Sequence, residues 1–271
     1  MNKYLIVGII AVAILVAGTL VPVIAPPGKM VGKDADLIRA IERIISVMNT
    51  TFIEKYLENY VIVKEKSINA SSLVLELSIH NGFITISQSS TAKIIVYGKK
   101  TSSSGLGISN GVLKYDCSDC GVKILVPQDL LHKVKINAEN SIIKINGCYY
   151  NLTSLELLVA NSMITGEIEG LSETNVSLTM HNSIIDAALE YPQTPVTSIV
   201  INAINSVSLL DLSVLGGVAK NIEYGFQNSL IIVKINGKEV PSGYQETGDG
   251  LLQLRSTAQN SFVHVSINTT S

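Results

Sequence analysis

From about Ile62 to the end of the chain, apolar residues recur at every second position. Val61, Val63, Leu73, Leu75, Leu77 and Ile79 are the first examples. This is the period of strands with one buried face. Short runs of this kind, broken by Gly, Asn and Ser, continue to the C-terminus. Before them the period is helical. Leu37, Ile41, Ile44, Ile45, Met48 and Phe52 recur at spacings of three and four, which predicts an amphipathic helix over 34–60. Asp34 and Asp36 suit its start. Glu42, Arg43, Glu54, Lys55 and Glu58 fall on its other faces. Such a helix could cap the end of the following domain, or serve in oligomerisation or at a membrane surface.

The first residues carry a different pattern. Tyr4 to Ile24 is a run of 21 residues without a charge. A bilayer core needs about 20 residues, whereas the apolar region of a signal peptide spans about 7–15. A retained membrane anchor is the leading reading, and a cleaved signal is the alternative. Val23-Ile24-Ala25 has the small-residue spacing of a cleavage site, but Pro26 follows it directly. A buried core helix is the third reading. Ala25-Pro26-Pro27-Gly28 ends the helix, because proline lacks a donor and clashes with the preceding turn. The chain therefore divides into an anchor or signal segment (1–25), a Pro/Gly linker (26–33), the amphipathic helix (34–60) and a β-domain (61–271). The expected location is a single-pass membrane protein with the large C-terminal domain outside the cell, or a secreted one.

The β-domain repeats. Asn-Ser falls at Asn140, Asn161, Asn182, Asn205, Asn228 and Asn260, and related Asn-Gly pairs at Asn81 and Asn110. Six residues before each Asn-Ser stand Val134, Leu155, Val176, Ile199, Ile222 and Leu254. Two residues after stand Ile142, Met163, Ile184, Val207, Leu230 and Phe262. Steps of 21, 21, 23 and 23 residues link Asn140 to Asn228, and a fixed period of this size marks a solenoid. The expected fold is mainly β, a β-solenoid (β-helix) of roughly 20–30-residue coils, each of three short strands with bends. The longer steps, 81 to 110, 110 to 140 and 228 to 260, read as insertions at Lys99–Gly107, Asp116–Gly121 and Gly237–Gly250. A β-sandwich with chance Asn-Ser turns is the rival. At a corner, Asn tolerates left-handed angles, and its amide can both donate and accept in a ladder of stacked side chains. The neighbouring Ser can satisfy local backbone groups.

Val122 to Pro127, then Lys133 to Ile145, and the strands led by Asn-Ser that follow resemble the prokaryotic "putative adhesin" β-solenoid family. The resemblance covers roughly residues 70–267. That family's usual corner is Asn-Gly or Ser-Gly, where this chain mostly has Asn-Ser. The resemblance implies an extracytoplasmic location and a surface or adhesive role, and it brings no catalytic residues.

Composition narrows the function. Charged residues make up 15% of the 271, against about 25% in an average protein. The net charge is −2, without the clustered Lys and Arg that nucleic acid requires. Trp is absent and aromatics are 5%, which weakens any reading built on stacking of sugars or bases. Low charge with many Ser, Thr and Asn suits an exposed surface, that of an archaeal cell included. Glycan acceptors stand at Asn49, Asn69, Asn151, Asn175 and Asn268, compatible with glycosylation of an exported protein.

Cys117, Cys120 and Cys148 are candidates for a disulfide, the better prior in an exported protein. Free thiols are the alternative, as is a metal site that Cys148 and His132 would complete. His181 and His264 fall at different repeat phases and need not meet in space. Glu167, Asp186 and Asp211 are read as standing at different repeat phases, without the paired carboxylates of a glycosidase. No phosphate loop or serine-nucleophile motif is present, and no cofactor is implied. The expected function is a non-catalytic surface protein, structural or adhesive, acting by self-association or partner binding. A filament subunit assembled through its N-terminal segment, an anchored accessory subunit of a membrane complex and a polysaccharide-active enzyme are the alternatives.

Overall fold

A computed structural model of the chain describes Arg39 and residues 60–98, 106–193 and 195–270. The expected anchor and linker, Asn49, and all of the expected amphipathic helix except Arg39 and Tyr60 lie outside the described residues. Among the described residues, no helix is long and apolar enough to cross a membrane.

Strand β1 (Val61–Ser67) begins the domain. After it, β2 (Leu73–His80) turns at Asn81 into β3 (Phe83–Gln88). β4 (Lys93–Gly98) and β5 (Gly107–Ser109) follow, and then β6 (Val112–Ser118) turns at Asp119 into β7 (Gly121–Val126). The same unit recurs as β8 (Leu131–Glu139) and β9 (Ile142–Cys148), β10 (Ser154–Ala160) and β11 (Met163–Glu169), and β12 (Asn175–His181) and β13 (Ile184–Tyr191). It continues as β14 (Val196–Ile204) and β15 (Val207–Leu215), then β16 (Val218–Gln227) and β17 (Leu230–Ile235). Two short strands, β18 (Lys238–Glu239) and β19 (Tyr244–Glu246), precede the last unit, β20 (Asp249–Gln259) and β21 (Phe262–Thr270). Each repeat unit thus has two strands, one in each of two sheets, where three were expected. A strand of six to eleven residues already spans the width of the stack, and the chain returns through a short connection.

The first strand of every coil joins one mixed sheet and the second joins another. The sheet containing β2 runs β19-β16-β20-β14-β12-β10-β8-β2-β6-β5, and the sheet containing β3 runs β1-β4-β7-β3-β9-β11-β13-β15-β21-β17-β18. Corresponding strands of the repeat units pair in parallel and in register, so residues at one repeat phase form a row. Leu155 pairs with Val134 and Val176, and the row continues through Ile199, Leu254 and Ile222. All six lie between the sheets in the core. Burying each contributes about 1.5–3 kcal/mol, repeated rung after rung.

The stacking order departs from the chain order at both ends. The β2/β3 coil sits between β6/β7 and β8/β9, and the final β20/β21 coil sits inside β16/β17. The long sequence steps therefore mark departures from sequential stacking: β6/β7 and β8/β9 add on opposite sides of β2/β3, and β20/β21 fills the rung left between β14/β15 and β16/β17. Asn110 is not a corner. With Gly111, both at positive φ, it forms the tight turn of the antiparallel β5–β6 hairpin, the turn chemistry that Asn-Gly favours. The expected insertion at 116–121 is the corner itself, with Asp119 at φ 54°. Among the described residues, three of the four sheet edges end in strands of two or three residues, β18, β19 and β5. Such short edges resist pairing with another chain.

Candidate functional site

The corners are built alike. Asn81, Asn140, Asn161, Asn182, Asn205, Asn228 and Asn260 have φ between 47° and 55°, in the left-handed region that Asn tolerates better than most residues. Their side chains link across rungs. Asn182 donates its Nδ2 to Oδ1 of Asn161 at 3.2 Å, Asn205 to Asn182 at 3.3 Å, and Asn260 to Asn205 at 3.3 Å. The serines beside them form a second ladder, which sequence reasoning gave only a local role. Ser183 Oγ donates to the carbonyl of His181 at 2.7 Å and accepts the backbone N–H of Ser162 at 3.2 Å. The same pair of bonds recurs at Ser141, Ser162, Ser206, Ser261 and Ser229. Ser141, Ser162 and Ser183 are fully buried, so each hydroxyl is a structural bond and not a surface group.

A third ladder lies at the opposite turns. Thr174 Oγ1 donates to the carbonyl of Leu152, Thr197 Oγ1 to that of Thr174, and Thr153 Oγ1 to that of His132. Thr153, Thr174 and Thr197 each stand eight residues before a corner Asn. That equal phase is the signal for them in the sequence.

The open surface is the outer face of the β2-containing sheet. One row crosses it as Lys114, Glu76, Lys135, Glu156, Ser177, Val200, Arg255 and Glu223. Its charges alternate and pair: Lys114 with Glu76 at 2.7 Å, Lys135 with Glu156 at 3.4 Å, and Arg255 with Glu223 at 3.1 Å. Lys133 also reaches Glu156, at 2.6 Å, and this hydrogen bond holds the Glu156 carboxyl below its usual pKa. The pairing breaks at Ser177 and Val200. There a shallow groove of about 610 Å³ opens, lined by Lys135, Glu156, Leu158, Ser177, Thr179 and Val200 among others. Leu158 is 52% exposed in it. Val196 and Leu251, neighbours across β14 and β20, add a second exposed apolar pair.

The other candidate residues do not gather. Cys117 and Cys120 are joined as a disulfide across the Asp119 corner, and Cys148 is free. Asn69, Asn151, Asn175 and Asn268 are exposed. His80 meets Glu139 at 3.2 Å. Among the described residues no three His, Cys, Asp or Glu side chains are placed to hold a metal. The reading of the acids needs one correction. Glu167 and Asp211 each stand six residues after their corner and share a row, with Ala188 between them. Two strand spacings, roughly 10 Å, separate them. Burial raises the pKa of Asp211, and a hydrogen bond from Ser266 opposes that rise.

No family profile matches the chain, and no curated protein matches it. Solved structures do. A "putative cell adhesion protein" from Clostridium sporogenes is 11% identical over 75% of this chain and 98% of its own, with a TM-score of 0.40. A "putative adhesin" from Bacteroides fragilis is 13% identical over 76% and 96%, at 0.37. Another from Parabacteroides merdae is 14% identical over 77% and 95%, at 0.30.

Proposed function

We propose that this protein is a cell-surface structural or adhesive β-solenoid that works by binding a partner rather than by catalysis. The observation behind the reading is the outer face of the β2-containing sheet. Its charges are paired in rows, and Leu158, Val200, Ser177 and Thr179 are left as an open strip between them. A rigid stack that presents regularly spaced apolar and hydroxyl groups suits an extended ligand, a polypeptide or glycan chain lying across the strands. Apolar anchors surrounded by polar groups are the usual make-up of a binding patch.

The test uses cells that display the full chain. A membrane-impermeant label should reach it on intact cells. Replacing Leu158 and Val200 together by Asp should lower attachment to other cells or surfaces severalfold at equal surface amounts. A chain that the label cannot reach would sink the surface reading. Unchanged attachment by the double variant would sink the role of this face.

The filament reading draws on a separate observation. β1 is a full-length edge strand, and Val61, Ile62 and Val63 are exposed on it, an arrangement that can add a strand from a second copy. Ile62→Lys should dissolve assemblies built that way, with sedimentation as the readout.

A further inference from the structure

At the β16/β17 end of the stack, part of the last rung is open. Two residues before the corner Asn, Ala138, Val159, Met180, Ala203 and Ala258 are buried in the core. Phe226 holds the same position on β16 and is 63% exposed. Backbone groups are open at the same place. Along a strand, alternate residues turn their N–H and C=O toward opposite neighbours. Ile222, Tyr224 and Phe226 on β16, and Ile231, Val233 and Ile235 on β17, turn theirs away from the stack. The excursion through β18 and β19 covers most of them. The Gly243 N–H bonds the carbonyl of Ile222, and the Val240 N–H that of Val233. Ser242 Oγ accepts the N–H of Tyr224 and donates to its carbonyl, both at 2.8 Å. Ile235 pairs with Lys238. Phe226 and Ile231 have no such partner among the described residues. The corner between them is open too. The Asn260 N–H reaches the carbonyl of Gln227 on the next rung, whereas Asn228 is exposed and has no described rung beyond it.

We infer that a second copy of this chain docks here, end to end, about a two-fold axis. Three features select a second copy. Phe226 stands two residues before Asn228, and Ile231 two residues after Ser229. Both open positions therefore lie equally far from the corner, and one axis passes both. In an antiparallel pair, a residue opposite itself exchanges both N–H···O bonds. Phe226 then meets the partner's Phe226, Ile231 meets the partner's Ile231, and both sheets continue across the junction. The aromatic rings also become cross-strand neighbours, a favourable pairing, and each covers the other's exposed face. Finally, no charges are opposed. Tyr224 to Val233 is an uncharged run of ten residues, whereas an edge that avoids pairing is commonly guarded by charge. Such an isologous contact closes at two copies. It lies four strands from the Leu158 strip in the same sheet, so loss of one contact leaves the other in place.

The full chain in detergent tests this. Light scattering should give a dimer. Phe226→Asp sets two carboxylates against each other across the axis and should give a monomer at the same concentration, with the circular dichroism of the folded parent. In a Cys148→Ser background, Phe226→Cys should crosslink chain to chain under mild oxidation, with peptide mass placing the bond at position 226 of both. The Cα atoms of such a pair lie about 5.5 Å apart, within disulfide reach. Leu158→Cys, exposed on the outer face, should not crosslink. A monomeric parent would overturn the proposal, as would a dimer that survives Phe226→Asp or a Phe226→Cys chain that does not link to its copy. A link from position 226 only to a different polypeptide on intact cells would give this end to another partner and overturn it as well.

Discussion

Asn140 donates its side-chain amide to Oδ1 of Asn81 at 3.2 Å, across 59 residues of sequence. The intervening coil, with its corner at Asp119, stacks on the far side of Asn81, where the Asp119 N–H meets the carbonyl of His80. The Asn ladder therefore follows spatial order and not chain order. At the other end Asn260 donates to Asn205, and its backbone N–H reaches the carbonyl of Gln227, next to Asn228.

A corner in mid-ladder should be more sensitive than its exposure suggests. Asn182 holds φ 47° and bonds both neighbours. Asn182→Ala places a Cβ without a compensating side chain in the left-handed region, at about 1–2 kcal/mol. It also removes two hydrogen bonds of about 0.5–1.5 kcal/mol each. Asn182→Gly removes the bonds but not the backbone tolerance. The loss in a urea titration should be roughly 2–5 kcal/mol for Ala and roughly 1–3 kcal/mol for Gly. Equal losses would mean that backbone strain plays no part.

The serine ladder should show a gradient from centre to end. Ser183→Ala leaves the buried N–H of Ser162 without its acceptor, which costs about 1–3 kcal/mol. Ser229 sits on the last rung and is partly exposed, so water can replace it for the N–H of Ser261. Ser229→Ala should cost less than about 1 kcal/mol. Thermal melts of the two variants decide it, and equal shifts would count against the ladder.

The sequence shows the rows more clearly than it shows the order of the rungs. Val134, Leu155 and Val176 keep one phase because parallel in-register pairing repeats in sequence whatever stacks where. Rung order is not written that way. Any coil offers the same carbonyls and amides to either neighbour, so nothing local tells β20 to sit against β14. Two residues misled in a specific way. Asn110-Gly111 looks like a corner but is a hairpin turn, and the real corner uses Asp119, whose side chain also tolerates a left-handed backbone. The alternating charges of Lys114, Glu76, Lys135 and Glu156 were not legible at all, because Glu76 pairs with a residue 38 positions later on one side and 59 on the other.

One buried charge gives an asymmetric prediction. Lys220 is 2% exposed, and its Nζ donates to Glu246 Oε2 at 2.9 Å and to the carbonyl of Val218 at 3.0 Å. Glu246→Ala strands the ammonium. Losing one partner of a fully buried pair costs about 3–5 kcal/mol, and because Glu246 is 41% exposed about 1–3 kcal/mol is expected. Lys220→Met removes the charge with its burial penalty and should be neutral or slightly stabilising. A Lys220→Met variant less stable than Glu246→Ala in urea would reverse this account.

Stability should also fall in mild acid through His264. This side chain lies between Leu209 and Ile232 on neighbouring strands. Burial, helped by the charge of Lys234, pushes its pKa from 6.5 down to about 4. In the unfolded chain the pKa returns to about 6.5. Above that pH both states are neutral and the group gives no slope. Between 6.5 and 4 the unfolded chain takes up a proton that the folded chain refuses, so folding stability drops as pH falls. Below 4 the contribution levels off. Asp211, whose pKa is raised by burial, works in the opposite sense, because its folded form holds a proton more tightly. The two are separated by substitution. His264→Gln should flatten the melting temperature between pH 6.5 and 4, and Asp211→Asn should steepen its fall toward pH 4. A His264→Gln protein that keeps the full slope would assign the acid sensitivity to other groups.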